Sequence, residues 1–96
     1  MNCDEWIVKT DPLFEANLKG ISNSIKRLLD KKIKRLKKNP DIGKNLGSQR
    51  PWLWETYVGS RYRLYYEIWE RKDIVYLKAF YPKKLQSRYL KKKMIF

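Results

Sequence analysis

The residues of this 96-residue chain best suited to chemistry are arginines and tyrosines set two apart. In Arg61-Tyr62-Arg63-Leu64-Tyr65-Tyr66-Glu67-Ile68-Trp69, strand alternation puts Arg61, Arg63, Tyr65 and Glu67 on one side. Tyr62, Leu64, Tyr66 and Ile68 fall on the other and make a core face. The first side carries guanidinium, phenol and carboxylate groups at the centre of a sheet. A guanidinium keeps its charge and can bridge two oxygens of an anion, so this side is the candidate functional surface. Tyr57, Tyr65, Trp69 and Tyr76 are candidate stacking platforms for a flat ligand group, each stack worth about 1–3 kcal/mol. Aromatic residues at strand spacing more often simply pack, so one or two at most are expected to touch a ligand.

Three runs must position these groups: 52–58, 61–69 and 74–80. Each is rich in aromatic and β-branched residues. Gly59-Ser60 and the charged turn Glu70-Arg71-Lys72-Asp73 separate them at hairpin spacing. They predict an antiparallel three-strand meander. Upstream, Trp6 to Thr10 reads as a first strand. Asp11-Pro12 then starts a short helix, Asp11 as N-cap and Pro12 with φ preset, with Leu13, Phe14 and Leu18 as its apolar side and Gly20 at its end.

A second N-cap in Ser22-Asn23-Ser24 opens the clearest helix. Ile21, Ile25, Leu28, Leu29, Ile33 and Leu36 form one apolar stripe, and Asn39-Pro40 stops it. Its other side is almost entirely lysine and arginine. That side is either a solvated back or a surface facing an RNA backbone or the ribosome. Residues 41–51 read as a loop. Pro82 ends the last strand, and Leu85, Tyr89 and Met94 suit a short final helix. The expected architecture is a small α+β domain spanning residues 1–96. It has an antiparallel twisted sheet of about four strands in the order β-α-α-β-β-β, both helices on one face, and a C-terminal helix or tail.

Lys+Arg number 23 against 10 Asp+Glu, a net charge of +13 with no histidine. Such an excess attracts polyanions or an acidic partner, while 15% aromatic content argues against a disordered basic tail. Cys3 is the only cysteine. An internal disulfide is therefore impossible, a thiolate nucleophile has no histidine to activate it, and multi-ligand Cys/His zinc sites lack their ligands. The start of the chain has no secretory-signal pattern, and no apolar run nears the roughly 18 residues of a membrane span. A cytoplasmic protein is expected.

An ordered set of residues resembles a known family. It comprises a lysine-rich helix ending in Lys38-Asn39-Pro40, a Leu46-Gly47 loop, Leu53-Trp54-Glu55, Gly59 and Arg61 to Glu67, followed by Ile74 to Phe80, Lys83-Lys84 and Tyr89. Over about Thr10 to Tyr89 this resembles the RelE/ParE toxin superfamily, and within it the RelE-type branch. The resemblance implies a small basic toxin that cuts messenger RNA in the ribosomal decoding site, with no metal and no cofactor. The substrate's own 2′-hydroxyl attacks the adjacent phosphate, and a RelB-like antitoxin silences the toxin.

In-line attack needs a base, positive charge on the phosphate and an acid for the leaving oxygen. By resemblance Arg63 stabilises the transition state. Lys83, with Lys84 as fallback, holds the phosphate or protonates the leaving group, and Tyr89 stacks or moves a proton. Alternatively, Arg63 is held in a pair with Glu55 or Glu67, and Tyr89 packs a C-terminal helix. With no histidine before Lys83-Lys84, the base is Glu55, a tyrosine or a lysine of lowered pKa. Arg61, Lys84, Arg50, Lys78, Tyr57, Tyr65 and Arg88 are the candidate RNA contacts. Two other readings compete: a ParE-type inhibitor of DNA gyrase, and a basic RNA-binding module without catalysis.

Overall fold

The apolar stripe of the long helix decides how the chain folds. In the computed structural model, which describes residues 5–48 and 50–85, that helix is α2, Asn23–Lys38. Ser22 caps it by accepting from the Ile25 N–H at 3.4 Å. Leu29 and Leu36 are buried against the sheet, and Ile25 and Ile33 pack beside them. Each buried leucine contributes about 1.5–3 kcal/mol. Leu28 sits at the rim, 41% exposed. Before α2, the short helix α1, Pro12–Asn17, starts at Asp11, whose Oδ1 accepts from the Leu13 N–H at 2.8 Å.

The strands are β1 (Ile7–Thr10), β2 (Lys44–Asn45), β3 (Trp54–Val58), β4 (Tyr62–Trp69) and β5 (Ile74–Pro82). They form one sheet in the order β1-β5-β4-β3-β2. The α+β class and the three-strand meander are as the sequence predicts, and three details differ. The sheet is mixed, because β1 runs parallel to β5; both helices and the other three strands lie between them in the chain, so the pair is free of the tight hairpin that forces antiparallel pairing. A fifth strand, β2, pairs Lys44 with Glu55 and Asn45 with Trp54 inside the stretch read as a loop. The start of the meander also shifts: Trp52 and Leu53 stay in the approach to β3, whereas Pro82 ends the last strand as expected. Of the expected final helix, Leu85 ends a short 3-10 turn, Lys83–Leu85, and the rest falls outside the described residues.

Between Tyr65 and Tyr66 on β4, the partners on β5 step from Ala79 to Leu77. This bulge leaves Lys78 as the extra residue, so alternation along β5 changes phase there. Leu77 and Phe80 both join the main core under α2. Ala79 goes to the opposite, open face, where it packs with Leu53 and Tyr65 in a second small cluster covered by Leu13, Leu46 and Tyr81. Two expectations are corrected here. Leu13 does not share a face with Phe14 and Leu18; it covers the open-face cluster while Phe14 enters the main core. Tyr65 has no exposed surface, so it cannot be a stacking platform. The residues around it turn the centre of the open face into a core.

The Tyr66 hydroxyl ties the sheet to the turn after α2. It donates to the Pro40 carbonyl at 2.7 Å and accepts from the Gly43 N–H at 3.1 Å. Burial pushes both Tyr65 and Tyr66 up to about 12; Glu55 adds to the first shift and Asp41 to the second, against the opposing Arg63 charge and Gly43 N–H. A phenol held neutral in the fold but free to ionise near pH 10 when unfolded stabilises the fold below that pH. The contribution is lost as pH rises through the folded value. Alkaline unfolding is therefore expected between about pH 10 and 12. Ultraviolet phenolate absorbance followed with circular dichroism should show two of the seven tyrosines ionising only as the fold is lost.

Candidate functional site

Antiparallel register places the first group of predicted residues. Arg63 on β4 lies opposite Tyr57 on β3, and Glu55 lies opposite Tyr65. Arg63 and Glu55 are thus diagonal neighbours, within reach of long side chains. Arg63 Nη1 donates to Glu55 Oε1 at 3.0 Å, and the two side chains are only 11% and 12% exposed. Arg63 Nη2 donates to the Tyr57 hydroxyl at 3.4 Å, and the guanidinium carbon lies 4.8 Å from the Tyr57 ring centroid. Tyr57 itself is 57% exposed. The result is a shielded ion pair under a partly open tyrosine. The Arg63 Nε is buried with no hydrogen-bond partner among the described residues.

A second group gathers around a hollow of about 500 Å³. Its described lining is Ser60, Arg61, Tyr62, Pro82, Lys83 and Lys84. Gly59, at φ +64°, makes the β3–β4 turn that brings Ser60 and Arg61 here. The Lys83 N–H donates to the Arg61 carbonyl at 2.6 Å, holding the end of β5 beside the start of β4. Tyr62 stacks on Phe80 at 4.9 Å between ring centroids and forms one wall. Arg63 does not line this hollow: its guanidinium is engaged by β3, while Lys83 stands on the β5 side. The basic groups that the resemblance assigns to one reaction therefore stand as two features, the Arg63–Glu55 pair and the hollow of Arg61, Lys83 and Lys84. Arg61, in the turn before β4, and Arg63, on β4, are two residues apart, about 7 Å in extended chain.

The other candidates are spread out. Lys78 is drawn to the far end of the open face, where Glu67 (3.6 Å) and Asp11 (4.0 Å) hold its ammonium. Asp11 also accepts from the Tyr76 hydroxyl at 2.9 Å, which raises the Tyr76 pKa. Trp69 and Tyr76 stack on one another at 4.8 Å. Arg50 is half-buried in the loop before β3, with its Nε buried and unpartnered among the described residues. Tyr89 and Arg88 lie outside the described residues.

Sequence reasoning passed over Ser60 and Tyr62 as lining of the hollow, and Lys44, which β2 sets opposite Glu55 beside a smaller hollow of about 170 Å³. The position of Ser60 and Tyr62 flanking the Gly59 turn was the available signal. A two-residue strand such as β2 leaves none. No group of three acidic, histidine or cysteine side chains that could hold a metal occurs among the described residues.

A family model described as the ParE toxin of the type II toxin–antitoxin system parDE matches residues 8–84. The chain belongs to this toxin family, within the RelE/ParE superfamily. The fold of this ParE-family toxin agrees with solved structures. Against the isolated RelE toxin of E. coli the TM-score is 0.69 at 20% identity, covering 90% of this chain and 96% of that one. Against the RelBE2 toxin–antitoxin complex of Mycobacterium tuberculosis it is 0.73 at 17% identity, covering 82% and 99%. Against the archaeal RelE–RelB complex of Pyrococcus horikoshii it is 0.65 at 15% identity, covering 82% and 96%. At these identities the likeness is one of fold. A comparison with curated proteins gives no significant match.

Proposed function

We propose that this toxin is a metal-independent endoribonuclease that cuts messenger RNA on the ribosome. The observation that carries the reading is the Arg63–Glu55 pair at 3.0 Å on the open face, together with a separate hollow bearing Arg61, Lys83 and Lys84 where β4 begins and β5 ends. Cleavage by a 2′-hydroxyl needs a base and a fixed cation at one phosphate, and the pair supplies both. A phosphate arriving at Arg63 competes with Glu55 for the guanidinium, which frees the carboxylate to take the 2′-hydroxyl proton. Lys83 and Lys84 then serve the neighbouring phosphate or the leaving oxygen, and Tyr57 offers its exposed ring to a base. The solved RelE relatives in complex with RelB support a RelB-like antitoxin as the natural partner.

A second reading is inhibition of DNA gyrase without nuclease chemistry. It is favoured by the ParE description of the matching family and by the neutralisation of Arg63 by Glu55. Inducing the toxin and examining the arrested cells distinguishes the two. The nuclease reading predicts transcripts cut within coding regions and plasmid supercoiling unchanged. Relaxed plasmid with intact transcripts would establish the gyrase reading instead.

A further inference from the structure

The sheet's other side carries a dense run of positive charge among the described residues. In α2 eight lysines and arginines face one carboxylate, Asp30, a net of +7 out of the chain's +13. Because Leu29 and Leu36 turn inward to the core, the cations point away from the sheet, opposite the Arg63 cluster. Arg27, Lys31 and Arg35 repeat at a spacing of four and Lys38 continues the row, all of them exposed. At 1.5 Å rise per residue the row is about 17 Å long.

We propose that this face of α2 is a docking surface for the phosphate backbone of double-helical RNA.

Three features separate this surface from a solvated helix back. The helix dipole accounts for cations in the last turn, Arg35, Lys37 and Lys38, but disfavours Lys26 and Arg27 near the start, where the first turn carries no acidic residue. Like charges four apart cost about 0.2–0.5 kcal/mol per pair, and the only α2 carboxylate, Asp30, is already paired with Lys34 at 3.5 Å. Burial lowers the Lys32 pKa, and the neighbouring Arg35 charge lowers it further. The exposed positions of α2 hold no aromatic residue and one apolar one, Leu28. Protein interfaces deplete lysine and need an apolar or aromatic centre, whereas a phosphate backbone is held by lysine and arginine alone. The choice of RNA over DNA rests on the nuclease reading; the phosphate-docking face does not.

The test is anisotropy with the full chain and a blunt RNA duplex of about 16 base pairs, across a salt series. The triple variant Arg27→Gln/Lys31→Gln/Arg35→Gln should bind at least about tenfold more weakly, with the slope of log K against log salt shallower by about 2–3. A control triple, Lys19→Gln/Arg71→Gln/Lys72→Gln, removes the same charge from exposed positions elsewhere and should bind nearly as the parent does. Circular dichroism verifies that both are folded. Equal weakening by the two triples reduces the surface to net charge, and unchanged binding by the α2 triple overturns the proposal outright. Tighter binding of a DNA duplex overturns the assignment to RNA, and displacement by polyglutamate as effective as by RNA points to an acidic protein instead. Arg63→Ala should retain duplex binding even if cleavage never occurs, which keeps failure of this surface distinct from failure of the nuclease reading.

Discussion

Replacing Arg63 with alanine is expected to lower transcript cleavage by about 10²- to 10³-fold, the usual cost of removing one fixed donor from a developing oxyanion. The same change leaves the Glu55 carboxylate largely enclosed without its partner, so part of the loss could come from a weakened fold. Arg63→Lys separates the two effects. It keeps a cation against Glu55 but gives up the planar fork that grips two phosphate oxygens. Cleavage should fall at least about tenfold while the melting temperature barely moves. Glu55→Gln should show the complementary pattern: RNA held as tightly or more so, because Arg63 loses its internal competitor, with turnover reduced. Undiminished cleavage by a folded Arg63 variant removes this site from the proposal.

The largest effect on stability is expected at Gly43. A Cβ added there meets the Tyr66 hydroxyl and the Glu55 carbonyl closer than real Cβ atoms approach such atoms. The hydroxyl cannot simply retreat, because it bridges the Gly43 N–H and the Pro40 carbonyl. Gly43→Ala must shift the 40–43 turn or break that bridge. Overpacking costs about 1–3 kcal/mol, and a buried carbonyl left without its donor costs a further ~1–3 kcal/mol. For a domain of this size that is a fall of more than about 10 °C in melting temperature. Gly47→Ala, with nothing within 4 Å of the added carbon but a φ of +84°, should lose only the smaller backbone penalty of about 1 kcal/mol. Similar melting temperatures for the two variants would contradict the close-contact account.

Periodicity made much of the fold readable. The apolar stripe of α2, the Asp11 and Ser22 caps and the alternation in β4 each rest on local spacing, and each appears where that spacing puts it. The parallel β1–β5 pairing was hidden because local sequence does not encode strand direction. The partners of Lys78 were hidden for a related reason. The bulge beside it changes the phase of β5, and the ammonium goes to Asp11, 67 positions earlier in a different element. Tyr65 had the right face and the wrong environment, since Leu13 and Leu46, which help cover it, arrive from distant segments. The Arg63–Glu55 pair was one of the open alternatives, and β3–β4 register made it possible. That Arg63 stands apart from the Lys83 hollow was not legible, because it depends on which neighbouring strand the guanidinium leans toward.

The most direct test of the central claim uses purified toxin, translating ribosomes and a message with one 2′-deoxynucleotide at a mapped cleavage position. If a 2′-hydroxyl attacks its own phosphate under the influence of Arg63 and Glu55, the all-ribose message is cut there and the 5′ fragment ends in a 2′,3′-cyclic phosphate. The deoxy-substituted bond stays whole while other positions are still cut. Cleavage straight through the deoxynucleotide, or no cleavage of either message by an otherwise growth-arresting toxin, contradicts the account.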